Sequence, residues 1–170
     1  VSPIEQDFPR DDSTFLLEEL VVSAYQIDSR LSRVPGSISV LSSEEIQVGD
    51  GNNFAHTLHA IPGVYMHSGT YATIRVIIRG VGSRTPYNTN RVKSYLNDIP
   101  ITSSDGISSP EDVDLLGIGR MEVIKGPASA LYGSGLGGNI NLYTPSVARN
   151  AFQATLQHGS FNTTKAAAGG

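Results

Sequence analysis

Apolar and polar side chains alternate in several short stretches of this chain, the period of strands with two unlike faces. Gly36-Ser37-Ile38-Ser39-Val40-Leu41 is the first clear case. Ser42 or Ser43 can then cap a helix that carries Glu44 and Glu45 in its first turn. A second helix is expected from Asn53 to His59, with Ala55, Leu58 and Ile61 as its buried stripe. Val64 to His67 and Thr73 to Arg79 follow as strands. The second is apolar on both faces and is expected at the centre of a sheet. Val92 to Ile101 reads as strand and turn, and Pro110 opens a short helix through Leu115 and Leu116.

From Gly119 to Tyr143 the period switches twice. Arg120 to Lys125 alternates, with Met121 and Val123 on one face and Glu122 and Ile124 on the other. Gly126 breaks this strand, and Pro127 suits the first turn of a helix that Ala128, Ala130, Leu131 and Tyr132 continue until Gly133 supplies a left-handed stop. Ser134 to Gly138 is too rich in glycine for a regular element, and Asn139 to Tyr143 resumes as a strand. The unit is therefore strand, short helix, Gly-rich turn, strand. Beyond Pro145, Ala151 to Gln157 sets one polar face against one apolar face, as a membrane barrel strand must.

Composition narrows the classes. A chain of 170 residues suits one domain with a real core. Its formal charge is −4, from 12 Lys and Arg against 16 Asp and Glu, with no basic stripe, which argues against nucleic acid as a partner. Charged residues are only 16%, below the usual value of about 25%. Ser, Thr, Asn and Gly then supply much of the polar surface, as in a domain partly enclosed by another structure. The absence of cysteine excludes disulfides and thiolate metal sites. The start, Val1-Ser2-Pro3-Ile4-Glu5, lacks the basic and apolar runs of a signal peptide, so any such segment is expected to have been removed or never included. No apolar run approaches the ~20 residues of a membrane helix, so membrane association would need a barrel or a partner.

Candidate chemistry is sparse. His56 and His59 lie three apart and could share a metal, but no carboxylate or third histidine stands close in sequence, and a solvated helix face explains them more simply. Glu111, Asp112 and Asp114 suit a helix start opposing the dipole better than a cation site. Gly133 to Gly138 satisfies G-x-G-x-x-G, yet a helix precedes it and a strand follows, the reverse of a dinucleotide site. The common phosphate, zinc and serine-nucleophile motifs are missing. No catalytic residue, metal or cofactor is expected.

Arg-Met-Glu-Val-Ile-Lys-Gly-Pro from Arg120, then Leu131-Tyr132-Gly133, then Gly137-Gly138-Asn139-Ile140-Asn141, resembles the signature that ends the plug domain of TonB-dependent outer-membrane receptors. Ile61-Pro62-Gly63-Val64, Ile78-Arg79-Gly80 and Leu96-Asn97-Asp98-Ile99-Pro100 resemble three further pieces of that domain in order. The resemblance covers roughly Leu17 to Pro145. It departs in Gly133 to Gly138, where the family would place an Ala or Pro among the glycines, and at Asn97, more often Asp. It implies an α+β fold, a small mixed sheet of four to five strands with short helices, followed by the first strand of a transmembrane β-barrel. The expected divisions are a flexible arm over 1–16, a TonB-box-like segment over 17–26, the plug over 27–145 and the start of the barrel over 146–170.

The resemblance also implies roles. Glu19, Leu20, Val21, Val22, Ser23 and Ala24 would form the TonB box, the peptide grasped by a TonB-like periplasmic energy-coupling protein. A β-prone segment after an irregular one can add as a strand to a partner's sheet edge, though an ordinary first strand has the same appearance. Arg79 and Lys125, with Arg120 and Glu122, would contact the barrel, and lysine cannot make arginine's bidentate fork. Arg79 alone would read as a surface arginine at a strand end. Tyr71 and the loop residues Arg84, Tyr87 and Asn88 would face outward and touch ligand, a ferric chelate such as a siderophore, or alternatively a cobalamin or other scarce nutrient. Barrels of this family have about 22 strands, each needing ~9–11 residues. The residues after Pro145 supply one or two, so the chain is expected to lack transport activity alone. The rival from another class is a soluble periplasmic signalling or adaptor domain with the plug fold.

Overall fold

Thirteen helices and strands build the described part of the chain, residues 21–22, 29–30, 36–48, 54–70, 73–84, 89–127, 132–133, 135–145 and 152–169 of a computed structural model. In order they are β1 (Val21–Val22), β2 (Ser29–Arg30), β3 (Ser37–Ser42), α1 (Ser43–Gln47), α2 (Phe54–His59), β4 (Val64–Thr70), β5 (Thr73–Ile78), β6 (Val92–Leu96), β7 (Ile99–Pro100), β8 (Arg120–Lys125), β9 (Gly138–Tyr143), β10 (Gln153–Gly159) and β11 (Thr163–Gly169). Short 3₁₀ turns at Pro110–Asp112 and Leu115–Gly117 stand where one short helix was expected.

One five-stranded sheet runs in the order β3-β8-β9-β6-β7. It is mixed, since β6 and β9 pair in parallel while the other neighbours are antiparallel. Cross-strand partners share a face. Leu41, Met121 and Leu142 therefore lie together on one side, with Val123 and Ile140 beside them. This side carries the core, closed by Ile46 of α1, Phe54 and Leu58 of α2, and Leu115 and Ile118 of the second 3₁₀ turn and its cap. The opposite side aligns Arg120 with Tyr143, Glu122 with Asn141, and Lys93 with Asn139. Both sides are buried, which is why Glu122, Asn139 and Asn141 are among the least exposed residues.

Local signals in the sequence explain the element ends. Ser42 caps α1 in a full capping box: its Oγ accepts from Glu45 N–H at 3.3 Å, and Ser42 N–H donates to Glu45 Oε2 at 2.8 Å. Ser42→Ala is expected to cost about 1 kcal/mol, read as a lower urea midpoint with an unchanged denaturant slope. Asn97 and Asp98 both have positive φ, 47° and 65°, the geometry of the tight two-residue turn that joins β6 to β7. Gly133, at φ 69°, follows the helical Tyr132 as the expected left-handed stop. The rest of that short helix lies outside the described residues.

The centre of the sheet is not the strand that apolar composition suggested. Among the described residues β5 pairs with β4 alone, in a separate hairpin, and the central strand of the larger sheet is β9. On β5, Val76 and Ile78 enter the core with Ile74 packed against it, while Arg75 and Ile77 lie on the opposite face and are half-buried. β9 is buried on both faces although two of its residues are asparagines.

Candidate functional site

Two cations meet at the corner made by Pro62 and Gly63. Arg79 occupies a left-handed conformation at φ 50°, with Gly80 at 82°, in the tight turn closed by Ile78 N–H to Val81 O at 3.1 Å and Val81 N–H to Ile78 O at 2.9 Å. A bulky residue at positive φ is uncommon and strained. Arg79 N–H holds the turn to Gly63 O at 2.8 Å, and Lys125 Nζ, from the end of β8, donates to Pro62 O at 2.8 Å. Burial, and then the neighbouring charge of Arg79, push the Lys125 ammonium below its ordinary range. Among the described residues no ion pair is found for either cation.

Arg120 and Glu122 stand elsewhere, on the polar side of the sheet. Arg120 Nε is 3.2 Å from Glu122 Oε1, and Glu122 is 0% exposed. The Arg120 guanidinium carbon lies 4.8 Å from the centroid of the Tyr143 ring. Burial first, then the charge of Glu122, push the Tyr143 phenol far above its usual value, so it stays a neutral donor, aimed at Asp98 Oδ1 at 3.4 Å. Further along the row, Asn139 Nδ2 donates to Asn141 Oδ1, and Tyr95 Oη donates to Tyr132 O at 3.0 Å. The four residues expected as barrel contacts thus divide into an external cationic corner and an internal ion pair.

Of the four expected ligand residues, Arg84 is exposed beside the Gly80–Ser83 turn, while Tyr71, Tyr87 and Asn88 lie outside the described residues. A neighbouring loop escaped sequence reasoning as a candidate. Ser103 to Ser108 is tied by Ser103 N–H to Ile107 O at 2.9 Å and by Ile107 N–H to Asp105 Oδ1 at 3.1 Å. The Ser103 hydroxyl, then the Ile107 N–H, hold the Asp105 carboxyl below its usual range. Buried Lys93 reaches its Gly106 O at 2.6 Å, which seats the loop beside Asn90. The signal was available: a lysine within an apolar strand needs a partner.

Val21 and Val22 pair with Arg30 and Ser29 in a two-residue antiparallel ladder. Glu19, Leu20, Ser23 and Ala24 lie outside the described residues. At the other end of the chain, Asn97 Oδ1 accepts from Thr144 N–H at 3.0 Å and its Nδ2 donates to Thr144 Oγ1 at 3.1 Å, fixing where the chain leaves the sheet. An aspartate could not make the second donation. Beyond it, β10 and β11 form a hairpin, two strands within the one or two expected. Its register puts Ala154, Leu156, Ala166 and Ala168 on one face, with His158 and Thr164 hydrogen-bonded at 3.0 Å at its turn end, and Thr155, Gln157, Thr163 and Lys165 on the other. The polar face is tied to the domain by Lys165 Nζ to Asp114 Oδ1 at 3.2 Å, and Leu156 is 76% exposed.

The shared-metal reading of His56 and His59 fails on geometry. His59 Nε2 is engaged by the Met66 backbone, 2.9 Å from its O and 3.1 Å from its N, and the ring stacks on Tyr65 with centroids 4.6 Å apart. Among the described residues no cluster of three metal-ligating side chains occurs.

The family model described as the TonB-dependent receptor plug domain matches residues 30–139. The chain belongs to that family. Vitamin B12 transporter BtuB of Vibrio vulnificus is 31% identical over 164 residues, which are 90% of this chain and 26% of that protein. The iron-regulated outer membrane virulence protein of Vibrio cholerae is 33% identical over 136 residues, 78% of this chain and 21% of that one. A solved structure of Pseudomonas aeruginosa FpvA bound to heterologous pyoverdines shares the fold, with a TM-score of 0.65 at 20% identity over 86% of this chain and 19% of its own. The chain therefore spans about a quarter of the length of the curated relatives it matches. The plug fold, the family and its outer-membrane setting agree with the sequence reading. The family comprises receptors and transporters rather than enzymes.

Proposed function

We propose that this chain is the plug of an energised outer-membrane importer whose cargo is a ferric chelate of the siderophore class. The β10–β11 hairpin carries this reading over a soluble adaptor: its polar face turns to the domain through Lys165 and Asp114, and its apolar face turns away. A barrel wall needs that arrangement, lumen on one side and lipid on the other. The corner of Arg79 and Lys125 is the plug's lock on carboxylates of that wall, since two like charges brought together call for an outside anion. Arg120 and Glu122 support the same seat from within. Arg84, with Tyr71, Tyr87 and Asn88, contributes to the ligand surface.

The segment Glu19-Leu20-Val21-Val22-Ser23-Ala24 is the handle for a TonB-like periplasmic protein, which adds it as a strand to its own sheet. Val21→Pro removes one N–H from such a ladder. In the receptor carrying this chain, uptake is expected to fall to background while ligand binding at the cell surface is retained. Unchanged uptake rules the handle out.

Cobalamin is the second reading, because relatives at 31% and 33% identity are named as vitamin B12 transporters. Equilibrium binding of a panel of ferric siderophores and of cyanocobalamin to the receptor separates the two. Tight binding of a ferric siderophore supports the first, binding of cyanocobalamin instead assigns the second, and failure of both overturns the importer of either cargo.

A further inference from the structure

We propose that one buried water molecule, hydrogen-bonded to Ser94 Oγ and Glu111 Oε2, occupies the small cavity between β5, β6 and the 3₁₀ turn Pro110–Asp112, and that it couples the seating of the β4–β5 hairpin to a proton on Glu111. The inference is independent of which cargo is carried. The cavity measures about 10 Å³, with Ile74, Val76 and Val92 as its apolar walls. That is the lower limit for a single water, which also needs two to four polar partners. The partners are present. Ser94 is 1% exposed, and neither its Oγ nor the buried Glu111 Oε2 has a hydrogen-bond partner among the described residues. Thr89 Oγ1, also on the cavity, accepts from Arg91 N–H at 3.1 Å and keeps its own hydroxyl proton to donate.

The occupant is water rather than a metal ion. A single carboxylate with hydroxyls is a poor donor set for a hard cation, which takes about six oxygens or more. Burial holds the Glu111 carboxyl above its ordinary range; a backbone hydrogen bond at Glu111 offsets part of this, and the charge of Asp112 adds to it. Among the described residues no cation of β5 or β6 sits on the strand face that borders the cavity. Arg75 pairs with His67 and Lys93 pairs with Asn139, so each lies on the strand face opposite to Ile74, Val76 and Ser94. Beyond the backbone hydrogen bond at Glu111, a hydroxyl relayed through water is the compensation that the cavity offers.

The position gives the site its consequence. Among the described residues the β4–β5 hairpin shares no ladder with the five-stranded sheet, so it is seated by side-chain packing and by hydrogen bonds such as that of His59 to the Met66 backbone. Ile74 and Val76 are the roof over Glu111. With the hairpin seated the carboxyl is buried and prefers its proton; with the hairpin lifted it meets solvent and ionises near its usual range. A carboxyl whose pKa is higher in the seated form stabilises that form fully below its unseated pKa, and this contribution is lost as pH rises through the higher, seated value.

A crystal structure of the chain fine enough to place waters tests the site directly. One ordered peak within about 2.7–3.2 Å of both Ser94 Oγ and Glu111 Oε2 is expected. A dry cavity, or Ser94 bonded directly to Glu111, overturns the proposal. The linkage is read by following the Glu111 carboxyl through a pH titration by NMR. Ser94→Ala removes a donor from the water and should move the Glu111 midpoint upward, whereas Ser94→Thr keeps the hydroxyl and should leave it in place. An unchanged midpoint in a folded Ser94→Ala chain breaks the link between the two residues. Should Ser94→Ala fail to fold, the crystal of the unaltered chain decides alone.

Discussion

Gly138→Ala is expected to prevent stable folding of this chain. Gly138 opens β9 at φ +141°, a conformation that L side chains rarely adopt, and a Cβ there would run into Ile124 O on the neighbouring strand and sit 3.1 Å from Ile78 Cδ1. The first obstacle is backbone, not the end of a flexible side chain, so the chain cannot yield without breaking the β8–β9 ladder at Lys125 and Gly138. Strained backbone costs about 1–3 kcal/mol and overpacking adds about 1–3 kcal/mol. The total of about 2–6 kcal/mol is comparable to the whole stability of an ordinary domain. Urea unfolding followed by circular dichroism should show a collapsed midpoint or no transition. Gly133→Ala is the control. It also has positive φ, 69°, but meets nothing within 4 Å, so it should lose only about 1–2 kcal/mol. Equal losses in the two variants would show that conformation alone, not the approach of β8, makes Gly138 glycine.

That glycine bears on what the sequence could reveal. The Gly-rich run before Asn139 was legible as a turn, and the strands on either side of it were legible from alternation. What alternation could not supply was neighbourhood. β5 is the more apolar strand and β9 carries Asn139 and Asn141, yet β9 lies at the centre, because the sheet's second face is buried too and is lined by polar groups. Hydrophobic pattern predicts position only when burial and apolarity coincide, and here Asn139 donates to Asn141, Asn141 to the Tyr132 hydroxyl and Tyr95 to the Tyr132 carbonyl instead. Arg79 and Lys125 lie far apart in the chain, and their meeting at Pro62 and Gly63 is a product of the tertiary fold. Motif resemblance named both residues without placing them. It also grouped them with Arg120 and Glu122, which face the opposite side of the sheet from Lys125 because they sit on the other phase of the same strand. Lys125 and Glu122 are an odd number of residues apart, and the strand period alone separates them.

Arg120→Met is expected to be the most damaging single change on the polar side. It removes the guanidinium 3.2 Å from a carboxylate that has no exposure to solvent, and with it the cation over the Tyr143 ring. Breaking a buried pair from one side costs about 3–5 kcal/mol, because the remaining charge is left without its counterion in a poorly solvated place. Methionine keeps most of the aliphatic stem, so lost packing is a minor part of the effect. The pH dependence identifies the cause. Without Arg120, burial favours the neutral form of Glu122, which gives it a folded pKa above its unfolded one. The variant should then recover stability as pH falls below the unfolded value and lose it as pH rises through the folded one, a slope absent from a variant damaged by packing alone. Adding Glu122→Gln should restore much of the loss at neutral pH, since the amide occupies the same space without a charge to solvate. A double variant no more stable than Arg120→Met would mean that the arginine holds Tyr143 and the exit of the chain at Thr144 rather than neutralising Glu122. In that case the loss should follow Tyr143→Leu in size and show no recovery in acid.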